Sequence, residues 1–328
     1  MFLVNSNQSL KKDMGDWSMI SFGVQIPQEG YDYGTIIKIA SECERLEFDS
    51  LWLTDHFFFS EKPYLECWTT LASLASNTSR LRLGTLVLCN NFRHPSLLAK
   101  MAATLDVISK GRLEFGIGAG WHEPEHTAYG ITFPKARIRI QMLEEGVQVI
   151  KKMWTEEKPS FQGKYYTIKE AICNPKPVQR PHPPILIGGG GEKYLLRAVA
   201  AYADVWNIVG GIPPQEYQRK VKIIREYCEE IRRDPKTIRL SWQGRFIIGN
   251  DETEVLEKVR RFSNTHGMTQ DEALKFLTFA GTPDKALEKI ASYADLGVTY
   301  FIMYFPDAES LTDLRLFAEQ VIPYFKGH

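Results

Sequence analysis

The chain has 328 residues, forty of them Lys or Arg and forty Asp or Glu, so its formal charge is zero and no run of one sign offers a surface for nucleic acid or an anionic membrane. That length suits one large barrel or two domains and is ample for a buried core. The five cysteines (Cys43, Cys67, Cys89, Cys173, Cys228) are odd in number and widely spaced with no C-x-x-C pair, which argues against a disulfide framework and a thiolate metal site and fits a reducing cytoplasm.

Residues 1–18 are polar and aperiodic, and Met19 directly precedes the first clear strand. They read as a lead outside the fold, with 19–328 as a single domain of a soluble, unprocessed chain, since no apolar run approaches a membrane span. Ser21 to Ile26 (SFGVQI) is a strand, and Ile36, Ile37, Ala40, Cys43 and Leu46 then recur at helical spacing. Ser50 to Thr54 is a second strand, followed at once by Asp55 and His56, two polar groups just past its carboxyl end. A helix continues through 68–75, Leu81 to Leu88 is the third strand, and Pro95 opens a helix to about Val107.

The fourth strand lies in the stretch that organises the chain, RLEFGIGAGWHEPEHTAYG from Arg112 to Gly130. Its apolar run ends on Gly116, Gly118 and Gly120, which strip the backbone of side chains where ligands sit in parallel sheets and barrels. His122, Glu123, Glu125 and His126 then stand at the mouth. The glycines do not make a dinucleotide fingerprint, because Trp121 holds the third glycine position and no acidic residue follows at suitable spacing. HEPEH satisfies the zinc-protease pattern, but Pro124 cannot sit inside a continuous helix and the glycine run leaves no preceding turn for His122. No metal is expected, 121–136 reads as a loop, and His126 in particular reads as a solvated histidine.

A longer helix covers 137–154, and 158–184 reads as an insertion: a hairpin over 161–168, then Asn174 to Pro184 with five of the chain's seventeen prolines. Ile185 to Ile187 is the fifth strand. Gly188, Gly189, Gly190 and Gly191 follow it, ahead of a helix over 194–202 whose start is expected near Glu192, and bare amides at a helix N-terminus suit a phosphate. Without a following G-K-[ST] this is no P-loop, so the phosphate would belong to a cofactor. Strands over 204–209, 238–248 and 298–304 alternate with helices over 215–232, 251–263 and 283–296, and 310–325 closes the chain as a helix. Eight strands alternating with helices predict a (β/α)8 TIM barrel with insertions near 121–136 and 158–184. A doubly wound sheet is the alternative, disfavoured because polar or glycine-rich residues recur after strands two to five.

From Phe22 to about Asp307 the chain resembles the luciferase-like flavin monooxygenase superfamily, and within it the deazaflavin oxidoreductases that use coenzyme F420. The match rests on WLTDH (52–56), RLGT (82–85), RHP (93–95), GIGAGWHEPEHTAYG, PKPVQRPHPPILIGGGG, ADVW (203–206) and GTPDKALEKI. The resemblance implies a luciferase-like barrel, and a flavin-type ring lying against a bulge with a non-proline cis peptide at Leu86-Val87. It also implies a phosphate loop at Gly188 to Gly191 and a histidine at His56 beside the reacting part of the ring. With Cys89 at the apolar end of strand three and Gly118 and Gly120 on strand four, these are the expected cofactor contacts.

Two departures qualify the likeness. Luciferases carry a phosphate-binding arginine where Ala119 stands, which favours F420 over FMN, and deazaflavin sugar-phosphate dehydrogenases carry a glutamate where Trp121 stands. The expected activity is therefore F420-dependent hydride transfer to or from a small organic substrate, with His56 as base, Asp55 beside it, and His122 then Glu123 as the next candidates. An FMN monooxygenase, a non-catalytic flavin-binding protein and an HExxH metal hydrolase are the alternatives. The resemblance also implies a homo-oligomer.

Overall fold

In the computed structural model, which describes residues 20–326, each barrel strand expected above forms, and the barrel strands are parallel because helices return the chain between them. The 1–18 lead lies outside the described residues. The first half runs β1 (Ser21–Gln25), α1 (Tyr33–Arg45), β2 (Ser50–Leu53), α2 (Cys67–Asn77), β3 (Arg82–Thr85), β4 (Leu88–Cys89), α3 (Pro95–Ile108), β5 (Leu113–Gly118), α4 (Glu123–Ala128) and α5 (Ala136–Thr155). Then come β6 (Phe161–Gln162), β7 (Thr167–Ile168), β8 (Ile185–Gly188), α6 (Leu195–Tyr202), β9 (Val205–Ile208) and α7 (Pro214–Glu230). The chain continues with β10 (Arg239–Ile248), α8 (Glu252–Thr265), α9 (Gln270–Phe276), β11 (Phe279–Gly281), α10 (Pro283–Ala294), β12 (Val298–Tyr304), α11 (Thr312–Gln320) and α12 (Ile322–Lys326).

The barrel order is β1, β2, β3, β5, β8, β9, β10, β12, and it closes where Phe22 of β1 sits opposite Phe301 of β12. Helix starts are fixed locally: the Asp32 carboxylate accepts from the Thr35 amide to cap α1, and Pro95 occupies the first turn of α3, where its missing N–H costs nothing. Inside the barrel, Trp52, Leu186, Val205, Tyr300 and Ile302 pack together. Trp52 sets two glycines, since a Cβ on Gly84 would lie 2.2 Å from its ring and one on Gly23 would lie 2.6 Å from Nε1. Towards the amino ends of the strands, Arg82 pairs with the buried Glu114 and Arg239 lies over the Tyr300 ring at 4.2 Å. Burial raises the Glu114 carboxyl above the ordinary glutamate value despite both cations. The larger apolar core fills the layer between barrel and helices.

Four expectations are corrected. Strand three is not continuous to Leu88: Leu86 and Val87 separate β3 from β4 and are joined by a cis peptide, as the resemblance implied. The ladder breaks because Thr85 Oγ1 turns inward, donating to Gly116 O at 2.7 Å and accepting from Gly116 N at 3.0 Å. Only a glycine fits opposite, as a Cβ on Gly116 would lie 1.9 Å from Thr85 O. Secondly, the 121–136 segment is not all loop, because α4 forms there with Pro124 in its first turn; six residues are too few to show a helical period. Thirdly, α6 runs Leu195–Tyr202, as the 194–202 span expects, and not from near Glu192, so three residues separate Gly191 from its first turn. Lastly, α9 and β11 were not foreseen: β11 extends the sheet from the outer end of β10, over a satellite core of Ile247, Val255, Val259, Phe262, Ala273 and Leu277.

In the 158–184 excursion, β6 and β7 form the expected antiparallel pair, tied to α5 where Glu145 accepts from the Lys164 and Tyr165 amides at 2.8 Å each. Among the described residues no helix is long and apolar enough to cross a membrane.

Candidate active site

The carboxyl ends of β2, β4, β5 and β8 surround a cavity of about 260 Å³. Its lining includes Asp55, His56, Leu86, Val87, Cys89, Gly118, Gly120, His122, Gly188 and Gly189, bringing together ten of the thirteen residues expected at a site. Glu123, Gly190 and Gly191 lie outside that lining.

Val87 forms the wall beneath the glycines. A Cβ on Gly118 would lie 2.8 Å from one Val87 methyl and a Cβ on Gly188 would lie 2.9 Å from the other, so both strands are bare because Val87 stands between them. The glycine loop also has internal reasons for its composition. Gly189 has φ +130°, and Cβ atoms on Gly189 and Gly190 would meet Leu195 at 2.3 Å and Ile208 at 2.6 Å. Gly191 alone of the four has room, its nearest neighbour being Leu195 Cβ at 3.7 Å. Lys220 donates to Gly190 O at 3.0 Å and fixes the turn, while Lys193 and Arg137 lie over the Tyr194 ring at 5.4 and 5.5 Å.

Asp55 and His56 are neighbours in sequence with different jobs. Asp55 is 2 % exposed, receives Arg93 Nη1 at 2.8 Å and Nη2 at 3.0 Å, and accepts the Cys89 amide at 2.9 Å. These contacts tie the end of β2 to β4 through the Asp55 carboxylate. Arg93 also reaches Glu66 at 2.6 Å. Burial alone would lower the Arg93 pKa, but the two carboxylates raise it, so the cation is permanent.

His56 Nδ1 lies 2.8 Å from Glu125 Oε2, and Glu125 is 1 % exposed on α4. The other Glu125 oxygen accepts from the Phe57 amide at 2.5 Å and the Phe58 amide at 3.3 Å. Burial would raise the Glu125 carboxyl, yet His56 and these amides hold it below the ordinary range. An ionised carboxylate only accepts, so the His56 proton is assigned to Nδ1 and the Nε2 lone pair is left for the cavity.

His122 Nδ1 comes within 3.3 Å of the same Glu125 oxygen without forming a hydrogen bond. His56, His122 and Glu125 thus gather three donor atoms within 4.8 Å of one another, a geometry that a metal ion can use. The zinc-protease pair does not form: His126 is buried, with Nδ1 3.0 Å from His122 O and Nε2 3.6 Å from Cys89 Sγ. This also corrects the solvated reading of His126, which packs between Phe92 and Phe133. Glu123 is exposed in the first turn of α4, outside the cavity lining. Burial pushes the Cys89 thiol up to about 12, so Cys89 is a neutral wall.

Sequence reasoning missed the orienting role of Glu125 and the amides of Asn207 and Gln243, which also line the cavity. Asn207 donates to Ser241 Oγ at 2.7 Å, and Gln243 donates to Gln25. The only signal for Glu125 was its place three residues after His122, which one turn of helix brings to the same side; the two amides sit within strands that read as apolar core.

A (β/α)8 barrel with an oriented histidine at its mouth, a branched aliphatic wall and a glycine loop after β8 defines a flavin-type cofactor enzyme. The sequence matches the luciferase-like monooxygenase family over residues 14–300, and the chain belongs to that family. An F420-dependent glucose-6-phosphate dehydrogenase of Microbacterium testaceum is 26% identical, covering 93% of this chain and 97% of its own. A phthiodiolone/phenolphthiodiolone dimycocerosates ketoreductase of Mycobacterium bovis is 28% identical over 73% of each. Among solved structures, an F420-dependent secondary alcohol dehydrogenase in complex with an F420-acetone adduct superposes with a TM-score of 0.81 at 21% identity, covering 94% of this chain and 99% of its own.

Proposed function

We propose that this protein is an F420-dependent oxidoreductase that moves a hydride to or from a carbon of a small organic substrate, with His56 as the group that takes or returns the proton. The observation that carries this is the His56–Glu125 pair, which engages Nδ1 of a histidine that lines the same cavity as Val87. The deazaflavin supplies two-electron hydride chemistry when bound. The space over Val87, kept clear by Gly118 and Gly188, suits its flat ring. Gly188 to Gly191 and the residues after them would hold its phosphate. The deazaflavin bears further carboxylates beyond that phosphate and FMN has none, and Lys193 and Arg137, over the Tyr194 ring that follows the loop, are cations such a tail could meet.

The residues of this chain then divide the work. Val87 and the bare strands position the ring. As an alcohol is oxidised, its hydroxyl proton passes to His56 Nε2, the hydride takes the bonding pair from carbon, and the Glu125 carboxylate stabilises the imidazolium. Reduction reverses each transfer. Asn207 and Gln243 supply neutral hydrogen-bonding groups to the same cavity.

Absorbance titration with F420 and with FMN tests the reading: saturable binding of F420 in preference to FMN is expected. Gly191→Val, made where a side chain fits without displacing the fold, weakens F420 binding while circular dichroism stays unchanged. Preference for FMN would replace the reading with a monooxygenase, and bound F420 that no donor or acceptor turns over would replace it with a non-catalytic carrier.

The same reading takes the protein as a cytoplasmic homo-oligomer. Its five cysteines are free and buried, which suits a reducing compartment, and Leu97 and Ile108, exposed on one face of α3 by helical spacing, suit a second copy.

A further inference from the structure

The cavity has a charge pattern that bears on the substrate. Its lining contains two carboxylates, Asp55 and Glu125, and among the described residues no lysine or arginine. Two cations stand near the lining without entering it: Arg93 spends its guanidinium on Asp55 and Glu66, and Arg139 donates to Pro134 O and lies over the Phe133 ring at 3.8 Å. Lys193 and Arg137 lie over the Tyr194 ring and are not part of the lining. A phosphoryl group entering this cavity would lose its hydration, gain no cation from the lining and approach the Glu125 carboxylate.

The rim carries the opposite invitation. Trp121 is 67 % exposed and Phe59 43 % exposed, their centroids 6.3 Å apart with planes 28° from parallel. His56 sits against both, 4.3 Å from Phe59 and 5.7 Å from Trp121. Tyr64 lies edge-on to Phe59 at 5.8 Å. Large rings left open beside a polar group mark a surface that another apolar body covers. Below them the wall is Leu86, Val87 and Phe92.

We infer that the substrate is an uncharged alcohol, or the matching carbonyl compound, that carries an aromatic or alicyclic ring. Its oxygen faces His56 and its ring lies against Trp121 and Phe59. This rests on the F420 reading of the same site. The reaction balances with that cofactor alone: the carbinol C–H bond breaks with both electrons going to the deazaflavin, the O–H proton goes to His56 Nε2, and the C=O bond forms. The carbonyl compound is reduced by the reverse steps.

The test separates the two readings. F420 binding is measured first by absorbance titration, and its failure would sink the cofactor reading and this inference with it. Oxidised holoenzyme is then titrated calorimetrically with acetophenone, which cannot react with oxidised cofactor, and with glucose 6-phosphate. Saturable binding of acetophenone is expected, with none of the sugar phosphate. Trp121→Ala, a change at an exposed ring, weakens acetophenone about tenfold and leaves F420 affinity intact. In turnover, 1-phenylethanol reduces the cofactor with a higher kcat/KM than glucose 6-phosphate. A holoenzyme that does not bind acetophenone, that binds or oxidises the sugar phosphate as well or better, or whose acetophenone affinity is indifferent to both Trp121→Ala and Phe59→Ala overturns the inference.

Discussion

Glu125→Gln is the most informative single change, because it alters one atom and reverses the proton inventory of the site. In the native protein one Glu125 oxygen accepts two backbone amides and the other accepts the His56 Nδ1 proton. A glutamine must keep its carbonyl oxygen towards the Phe57 and Phe58 amides, since an NH2 group there would face two donors. Its NH2 then faces His56, which must accept at Nδ1 and carry its proton on Nε2, the wrong tautomer for a base. Loss of a hydrogen bond to a charged group is worth about 1.5–3 kcal/mol. At 1.36 kcal/mol per tenfold, that is roughly 10- to 150-fold in kcat. The expected result is a fall in kcat of about 100-fold with KM and F420 affinity little changed. In 15N spectra the His56 signals should exchange character, Nε2 becoming the protonated nitrogen. A variant within a few-fold of native kcat, or one with the Nδ1 proton still in place, would refute the orienting role.

Two further expectations use the same contacts. Arg93→Met leaves Asp55 buried without its cation, which costs about 3–5 kcal/mol, and Asp55→Asn in the same chain should restore part of the lost melting temperature; a single variant that melts like the native protein would refute the tie. The second is pH dependence: the folded-state Glu125 pKa lies below the ordinary value of 4.5, so its ionised contacts contribute stability that is present above 4.5 and lost as pH falls through the lowered folded value. The melting temperature of native protein should therefore fall more steeply below that pH than that of Glu125→Gln, and parallel curves would contradict the assignment.

The barrel was legible because each strand is a short apolar run bounded by glycine, proline or polar residues, and strand two announces its end by passing from Trp52-Leu53 to Asp55-His56. Gly116 and Gly118 were equally legible as a place of close approach, though the nearest occupants are Thr85 O and Val87 rather than a ligand alone. Three of the four loop glycines are likewise demanded by φ or by Leu195, Ile208 and Val87, so their number is weaker evidence for phosphate than it appeared from sequence. What sequence could not supply was orientation. Glu123 and Glu125 are two residues apart, and which one turns inward depends on where α4 docks. Asp55 reads as an acid beside a histidine until Arg93, from the far side of β4, closes on it. The cis peptide at Leu86-Val87 has no sequence signal of its own and came from family likeness.

The trio of His56, His122 and Glu125 raises the question of a metal, and we propose that a proton rather than a metal joins them. A catalytic zinc site takes three protein donors and keeps a fourth position for water, and these three atoms lie within 4.8 Å of one another. Yet Glu125 Oε2 and His56 Nδ1 are 2.8 Å apart, a hydrogen-bond distance whose proton occupies the space between them, and Glu125 Oε1 is committed to two amides. A metal would have to displace that proton and spread the pair, and in doing so would remove the tautomer on which His56 depends. Prolonged dialysis against EDTA should therefore leave hydride transfer and the melting temperature unchanged, and added zinc should inhibit rather than activate. Loss of turnover on chelation, restored by stoichiometric zinc, would overturn this account and return the trio to metal chemistry.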